Sequence, residues 1–275
     1  MKYFKVTLFL LFIFFSFNTG AQTFKKFDKG SYLSKQDSIY YRILFPEQFD
    51  PTQKYPVIFV LHGRGESGSD NEKQLTHGAK LFLKPAIRSK FPAIVIFPQC
   101  PEDSYWSNVK ITADSAGKRR FDFQTGGKPT RAMHALLGMI DNILEKPYIN
   151  KEKVFIGGLS MGGMGTYEVL RRKPRTFASA FAICGGDTTA NVRKYKNVPL
   201  WIFHGGEDDV VNPKFSINIA NQLKILGKEV KFNYYPEANH NSWDAAFAEP
   251  DLIPWLMSHD LHDKKTFFSS LLFWK

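Results

Sequence analysis

The chain contains very little cysteine. Only Cys100 and Cys184 occur among its 275 residues, and each follows a different strand-like apolar run. Two thiols do not make a disulfide framework, and neither one has histidine or acidic neighbours at a spacing that suits a metal ion. We therefore predict that the two thiols are free and buried, and that the protein uses no metal and no organic cofactor.

Long apolar segments are also scarce, and the one extended run lies at the very start of the chain. Residues 6–17 are almost wholly apolar, follow a short basic start containing Lys2 and Lys5, and precede the small residues Thr19-Gly20-Ala21. This order is typical of a secretory signal peptide, and the run is short for a membrane span. We predict a signal peptide over residues 1–21, export to the periplasm or medium, and no stable membrane anchor, with a retained anchor as the alternative.

A nucleic-acid-binding module, an internal repeat and a low-complexity linker are all absent from the sequence. The net charge of +11 is high, but the basic residues are scattered or form short clusters such as 118–120 and 171–173. A solvated basic surface explains this pattern better than a nucleic-acid partner. We predict one domain over residues 22–275.

Strand-like apolar runs alternate with helical periods along this domain. The strand-like runs cover residues 39–44, 57–61, 93–97, 154–157, 177–183, 200–203 and 230–235, and the helical patterns cover 130–144, 163–170, 216–226 and 252–257. This alternation predicts an α/β fold with a mostly parallel central sheet flanked by helices on both faces. Residues 99–128 show little periodicity, and we expect them to form loops over the carboxyl edge of the sheet, where α/β proteins bind ligands.

The most informative motif is Gly158-Leu159-Ser160-Met161-Gly162, which stands between a predicted strand and a predicted helix. This context is typical of a nucleophile elbow, a tight turn that exposes one serine hydroxyl. The flanking glycines are expected because a Cβ would collide with neighbouring backbone in so tight a turn. We predict Ser160 as the nucleophile of an acyl-transfer enzyme.

A serine nucleophile needs a base and a group that orients the base. In this architecture the acid follows a later strand and the histidine follows the last one. Residues 200–203 lead into Glu207, Asp208 and Asp209, and His240 lies a few residues past the strand ending at 235. We predict Asp208 and His240 as the catalytic partners of Ser160. Asp209 is the main rival for the acid, followed by Glu207 and by Asp187.

Two backbone N–H groups are expected to form an oxyanion hole, and one belongs to the residue after the nucleophile, Met161. We assign the second N–H to Arg64, in the loop His62-Gly63-Arg64-Gly65 that follows residues 57–61. Two alternatives stay open for the Arg64 side chain: it is solvated, or it pairs with an acidic group of the substrate. We interpret His62 as a structural brace of this loop, and we expect core or turn roles for His77, His134 and His204.

Aromatic residues near these motifs offer a wall for an acyl or aryl group. Trp106 and Trp243, together with Tyr105, are the predicted substrate-binding side chains, and ordinary core or rim packing is the alternative.

These pieces together resemble the α/β-hydrolase superfamily, and within it the bacterial secreted esterases of the phospholipase/carboxylesterase type and peptidases related to prolyl oligopeptidase. The resemblance is carried by residues 61–68, Pro98-Gln99-Cys100-Pro101, the elbow, and His240-Asn241-Ser242-Trp243. It also includes His204-Gly205-Gly206-Glu207-Asp208, and the family's acid, four residues past the histidine of this His-Gly pair, implies Asp208. Two features depart from the family's pattern: Arg64 replaces a small or apolar residue, and the aromatic tail over residues 261–275 extends beyond the expected end.

The resulting hypothesis is an exported serine hydrolase that cleaves carboxylic esters through an acyl-enzyme. The resemblance implies small-molecule or polysaccharide-linked substrates, such as acetyl or feruloyl esters. A serine peptidase acting on short peptides is the alternative, and a non-catalytic binding protein that keeps the fold is a third possibility. The intact set of serine, acid and histidine argues against the third.

Overall fold

The computed structural model describes residues 24–33, 38–115, 117 and 119–261. The predicted signal peptide over residues 1–21 lies outside the described residues, as does the tail from residue 262 onward. Within the described ranges, no helix has the length and apolar character needed to cross a membrane.

An eight-stranded sheet forms the centre of the molecule. Its strand order is β1-β2-β4-β3-β7-β8-β9-β10, and every pair from β4 to β10 is parallel, whereas β1, β2 and β4 are joined antiparallel. The strands of this sheet are β1 Asp28–Leu33, β2 Ser38–Leu44, β3 Tyr55–Leu61, β4 Ile94–Gln99, β7 Ile149–Leu159, β8 Ser179–Ile183, β9 Leu200–Gly205 and β10 Val230–Tyr235. The predicted mostly parallel sheet is confirmed.

Helices cover the sheet on both faces, as predicted. One core layer packs α3, α4, α5 and α6 against the sheet, and the other packs α1, α7 and α8 against the opposite face. The helices are α1 Ala79–Leu83, α2 Pro85–Lys90, α3 Arg131–Leu144, α4 Met161–Arg172, α5 Thr189–Tyr195, α6 Lys214–Ile225, α7 Trp243–Ala248 and α8 Leu252–Met257. Because both faces are covered, β4, β8 and β9 are buried along their whole length, which explains their continuous apolar runs.

Local signals set the ends of two helices. Thr130 caps α3, since its Oγ1 accepts a hydrogen bond from the Met133 amide at 3.1 Å. Gly227 follows α6 with φ at 63°, and the amide of Lys228 bonds back to the Leu223 carbonyl at 2.9 Å. This left-handed cap favours glycine.

The segment over residues 99–128 differs from the predicted set of loops. It contains a two-stranded hairpin, β5 Val109–Ala113 and β6 Arg119–Phe123, that pairs antiparallel. Phe123 packs edge-on against Phe215 at a centroid distance of 5.1 Å and stacks with Phe121. The hairpin is therefore fixed by aromatic contacts with α6, which a search for helical or strand periodicity does not reveal.

Candidate active site

Ser160 occupies the sharp turn between β7 and α4. Its torsions, φ 52° and ψ −117°, are rare outside glycine and amount to strain of about 1–3 kcal/mol. The Ser160 amide donates to the Ile183 carbonyl at 2.8 Å, which ties the turn to β8. A Cβ at Gly158 would lie 2.6 Å from the Gly162 carbonyl oxygen, and one at Gly162 would lie 2.0 Å from that of Leu61. Only glycine therefore fits on either side of this serine.

The structure brings Ser160, His240 and Asp208 into one hydrogen-bonded line. His240 Nε2 lies 2.9 Å from Ser160 Oγ, and His240 Nδ1 lies 2.8 Å from Asp208 Oδ2. Because an ionised carboxylate only accepts, Nδ1 carries the hydrogen and the lone pair of Nε2 faces the serine hydroxyl. This arrangement can remove the hydroxyl proton as the oxygen attacks a carbonyl carbon.

The Asp208 carboxylate is fully buried and receives four hydrogen bonds. Oδ1 accepts from the Val210 and Val211 amides at 3.0 and 2.8 Å. Oδ2 accepts from His240 and also from His204 Nε2 at 3.1 Å. Burial raises the pKa of Asp208, but the hydrogen bonds from His204, His240 and the Val211 amide outweigh burial and hold the pKa well below its usual range. The carboxylate is therefore ionised at neutral pH.

None of the three rival acids bonds to His240. Asp209 is exposed, and its amide donates to Asn239 Oδ1 at 3.3 Å, while Glu207 is exposed on the same turn. Asp187 is buried elsewhere, where it accepts hydrogen bonds at 2.8 to 3.2 Å from residues in α5 and just before it. The donors are the Thr188 amide, the Asn191 side chain and the Tyr195 hydroxyl.

His204 takes part in the site, although the sequence predicted only a core or turn role for it. Its ring is fully buried, and Nε2 faces two acceptors, Asp208 Oδ2 and the Val211 carbonyl at 2.9 Å. Nε2 therefore carries the hydrogen, and Nδ1 accepts from the Ser216 hydroxyl at 2.7 Å. The signal was present in the His-Gly pair four residues before Asp208.

The two predicted oxyanion donors lie on either side of the serine turn, at the starts of α4 and of a 3₁₀ turn over Arg64–Glu66. Among the described residues, no backbone carbonyl outside the helices and strands accepts from the Arg64 or Met161 amide. First-turn amides of a helix lack intrahelical partners and can face an oxyanion. Both N–H groups are thus available for that role.

His62 braces the loop that carries Arg64, in line with its predicted structural role. Nδ1 donates to the Gly63 carbonyl at 2.6 Å, and Nε2 accepts from the Cys100 amide at 2.8 Å. Burial lowers the pKa of His62 to about 4, so the ring stays neutral and keeps both bonds at neutral pH. The Arg64 guanidinium donates to the Ser104 and Glu102 carbonyls at 2.8 and 2.6 Å, which joins this loop to the next one.

Trp106 was predicted to line a substrate pocket, but the structure buries it in the core. The Trp106 side chain is fully buried and packs edge-on against His62 at a centroid distance of 5.5 Å. Helix α4 approaches so closely that a Cβ at Gly165 would lie 2.5 Å from Trp106 Cβ. Trp106 therefore packs behind the serine turn. Trp243 is partly exposed, and its ring centroid lies 5.4 Å from that of His240.

A groove runs beside Asp208 under the β5–β6 hairpin. Its apolar lining comes from Phe121, Val210 and Phe215, and Arg119 and Arg120 lie along its rim. Asp114, Asp208 and Asp209 also line the groove, and neither Ser160 nor His240 belongs to its lining.

The described residues contain one grouping of possible metal ligands, formed by Cys184, Asp208 and His240. Asp208 and His240 already use their facing atoms in the hydrogen bond between them. Burial raises the pKa of the Cys184 thiol, which keeps it protonated. Cys100 and Cys184 are both free and buried, as predicted.

The sequence profile of the phospholipase/carboxylesterase family matches residues 48–249, a span that includes the serine turn, Asp208 and His240. The chain belongs to the phospholipase/carboxylesterase family. Its fold is the α/β-hydrolase fold, and the family to which it belongs is one of carboxylesterase-type hydrolases.

Similar proteins of this fold include esterases and peptidases. A bifunctional acetylxylan esterase/xylanase of Neocallimastix patriciarum is 31% identical over 193 residues, which cover 68% of this chain and 25% of that protein. A probable dipeptidyl-aminopeptidase B of Trichophyton verrucosum is 24% identical over 71% of this chain and 23% of that protein. The solved structure of a thermostable esterase has 29% identity and a TM-score of 0.76 over 86% of this chain and 64% of that one. The chain thus spans about a quarter of the length of the acetylxylan esterase/xylanase and of the probable dipeptidyl-aminopeptidase B.

Proposed function

We propose that this protein is an exported serine esterase that cleaves carboxylic esters through an acyl-enzyme formed on Ser160. The observation that carries the proposal is the unbroken line of hydrogen bonds from Ser160 Oγ through His240 to the buried Asp208 carboxylate. Export rests on the signal-like pattern of residues 1–21.

The reaction follows from the positions of these groups. His240 Nε2 takes the Ser160 proton as Oγ attacks the ester carbonyl, and the Arg64 and Met161 amides donate to the oxyanion that forms. Asp208 fixes the tautomer of His240 and stabilises the imidazolium. His240 then gives the proton to the leaving alcohol, and water, activated by the same nitrogen, releases the acid from Ser160.

For the substrate we propose small acyl or aryl-acyl esters, including acetyl or feruloyl groups on polysaccharide. The similarity to an acetylxylan esterase/xylanase supports this class. Peptidase activity is the second candidate, favoured by the similarity to probable dipeptidyl-aminopeptidase B.

Hydrolysis of a substrate panel by the mature protein separates the two candidates. The panel contains p-nitrophenyl acetate, butyrate and octanoate, methyl ferulate and a dipeptidyl anilide, with Ser160→Ala as the blank. Ester turnover with an inert anilide supports the proposal, and the chain-length profile then measures the size of the acyl site. Preferred cleavage of the anilide would replace the proposal with the peptidase.

A further inference from the structure

Three side chains extend from His240 as a continuous wall beside the serine. The ring centroids of His240 and Trp243 lie 5.4 Å apart, and those of Trp243 and His77 lie 5.1 Å apart. His77 Nε2 lies 3.6 Å from Glu66 Oε1. In the proposed reaction the leaving alcohol takes its proton from His240, so this wall borders the side of the site from which the alcohol departs.

The carboxylate of Glu66 is the unusual member of this wall. Its side chain is only 13% exposed, and its ion-pair partner among the described residues is His77, whose Nε2 lies 3.6 Å from Oε1, beyond hydrogen-bond distance. Glu66 Oε2 lies 3.1 Å from the point that a Cβ on Gly63 would occupy, and Ser160 Cβ lies 3.6 Å from the same point. Neither carboxylate oxygen is a buried atom without a partner, so water reaches them, and a ligand that displaces this water must supply hydrogen-bond donors in its place. Its place next to the nucleophile therefore indicates a ligand that brings donors with it.

The chemistry of the wall suits a sugar hydroxyl better than an ammonium group. His77 already stands beside the Glu66 charge, and the chain as a whole carries a net charge of +11, which repels cations. A sugar offers hydroxyl donors for the carboxylate and a C–H face for the partly exposed ring of Trp243. We propose that Glu66, His77 and Trp243 form a subsite that recognises the sugar alcohol of a carbohydrate ester. This inference rests on the proposed esterase function.

The test compares two esters that share an acyl group and differ in the leaving alcohol, p-nitrophenyl acetate and mono-acetylated xylobiose. The readout is the ratio of kcat/KM for the sugar ester to that for the nitrophenyl ester. Glu66→Gln keeps the shape of the side chain and removes its charge, so we expect the ratio to fall about tenfold, the loss of one charge-assisted hydrogen bond. Glu72→Gln is the matched control, because Glu72 is exposed and forms an ion pair with the exposed Lys29.

A ratio that Glu66→Gln leaves unchanged would overturn the subsite, whether both activities fall together or neither falls. A selective loss on an alanine p-nitrophenyl ester, with the sugar ester unaffected, would identify an ammonium site and would also overturn it. Failure of the proposed esterase function is a separate result, in which the wild-type protein hydrolyses neither acetyl ester. In that case the subsite is tested by calorimetric binding of acetylated xylobiose to Ser160→Ala and to the double variant Ser160→Ala with Glu66→Gln. Affinity that is about tenfold weaker in the double variant supports the subsite, and equal affinity refutes it.

Discussion

Replacing Asp208 with asparagine removes one acceptor from a carboxylate whose two oxygens are both fully used. Oδ1 faces the Val210 and Val211 amides, and Oδ2 faces the N–H groups of His204 and His240. The asparagine NH₂ group must therefore point at two donors in either orientation. The smaller misfit places the NH₂ group at the Oδ2 position, because the His204 N–H keeps the Val211 carbonyl at 2.9 Å and His240 can change tautomer, so we expect Asp208→Asn to lower the free energy of unfolding by about 1–2 kcal/mol.

The expected loss of activity is larger than the loss of stability. An NH₂ group facing His240 forces the imidazole into the other tautomer, in which Nε2 carries a hydrogen and cannot accept the Ser160 proton. We expect kcat/KM on p-nitrophenyl acetate to fall by about 10³- to 10⁴-fold. Asp209→Asn is the matched control on the same turn, and its exposed side chain predicts activity within about twofold of wild type.

The assay combines steady-state kinetics with urea denaturation of each variant, so that lost activity is compared only among folded proteins. If Asp208→Asn stays folded and keeps more than a tenth of the activity, the reasoning fails. A larger loss in Asp209→Asn would transfer the role of the acid to that residue.

Three further predictions concern charge and packing around the site. The pKa of His62 is lowered to about 4 from 6.5 in the folded protein, so the unfolded chain takes up the proton first as pH falls. Urea denaturation should therefore show the free energy of unfolding falling by about 3 kcal/mol between pH 6.5 and 4, and an equally steep fall in His62→Gln would refute this. Burial raises the pKa of Asp187 to about 6 from 3.8, so its ionised form destabilises the fold above pH 6. Asp187→Asn should therefore raise the free energy of unfolding at pH 8 by about 1–3 kcal/mol and keep esterase activity, whereas loss of turnover in the folded variant would make Asp187 the catalytic acid. Gly162→Ala should unfold the protein or lower its free energy of unfolding by more than about 3 kcal/mol, because the new Cβ would lie 2.0 Å from the Leu61 oxygen. A Cβ at Gly65 would have nothing within 4 Å, so the free energy of unfolding of Gly65→Ala should lie within about 0.5 kcal/mol of wild type, and equal stability of the two variants would contradict the packing argument.

The sheet could be predicted because its central strands are buried on both faces. Such strands appear as continuous apolar runs, and residues 57–61 and 200–203 fall within observed strands. The predicted run over residues 93–97 ends two residues before the observed strand β4 does. β4 continues through Pro98, which pairs with Tyr41 of β2 but lies beyond the part of β4 paired with β3, so the missing N–H breaks no bond on that side.

The features that sequence reasoning missed depend on contacts between distant segments. The β5–β6 hairpin is stabilised by Phe123 against Phe215, residues far apart in the chain. Trp106 looked like a surface aromatic in a loop, but the glycine at position 165 lets α4 cover it. His204 was expected to have only a core or turn role and Glu66 had no assigned role, and their surroundings became visible only when the fold placed them beside Asp208 and Gly63.

The most direct test of the proposed acyl-enzyme is labelling of the mature protein with a fluorophosphonate, followed by intact mass and peptide mapping. Our account predicts one adduct per chain, located on the peptide that contains Ser160, with ester hydrolysis lost in proportion to labelling. It also predicts that Ser160→Ala neither labels nor turns over p-nitrophenyl acetate. An adduct on another residue, or ester hydrolysis that persists in folded Ser160→Ala, would contradict the account.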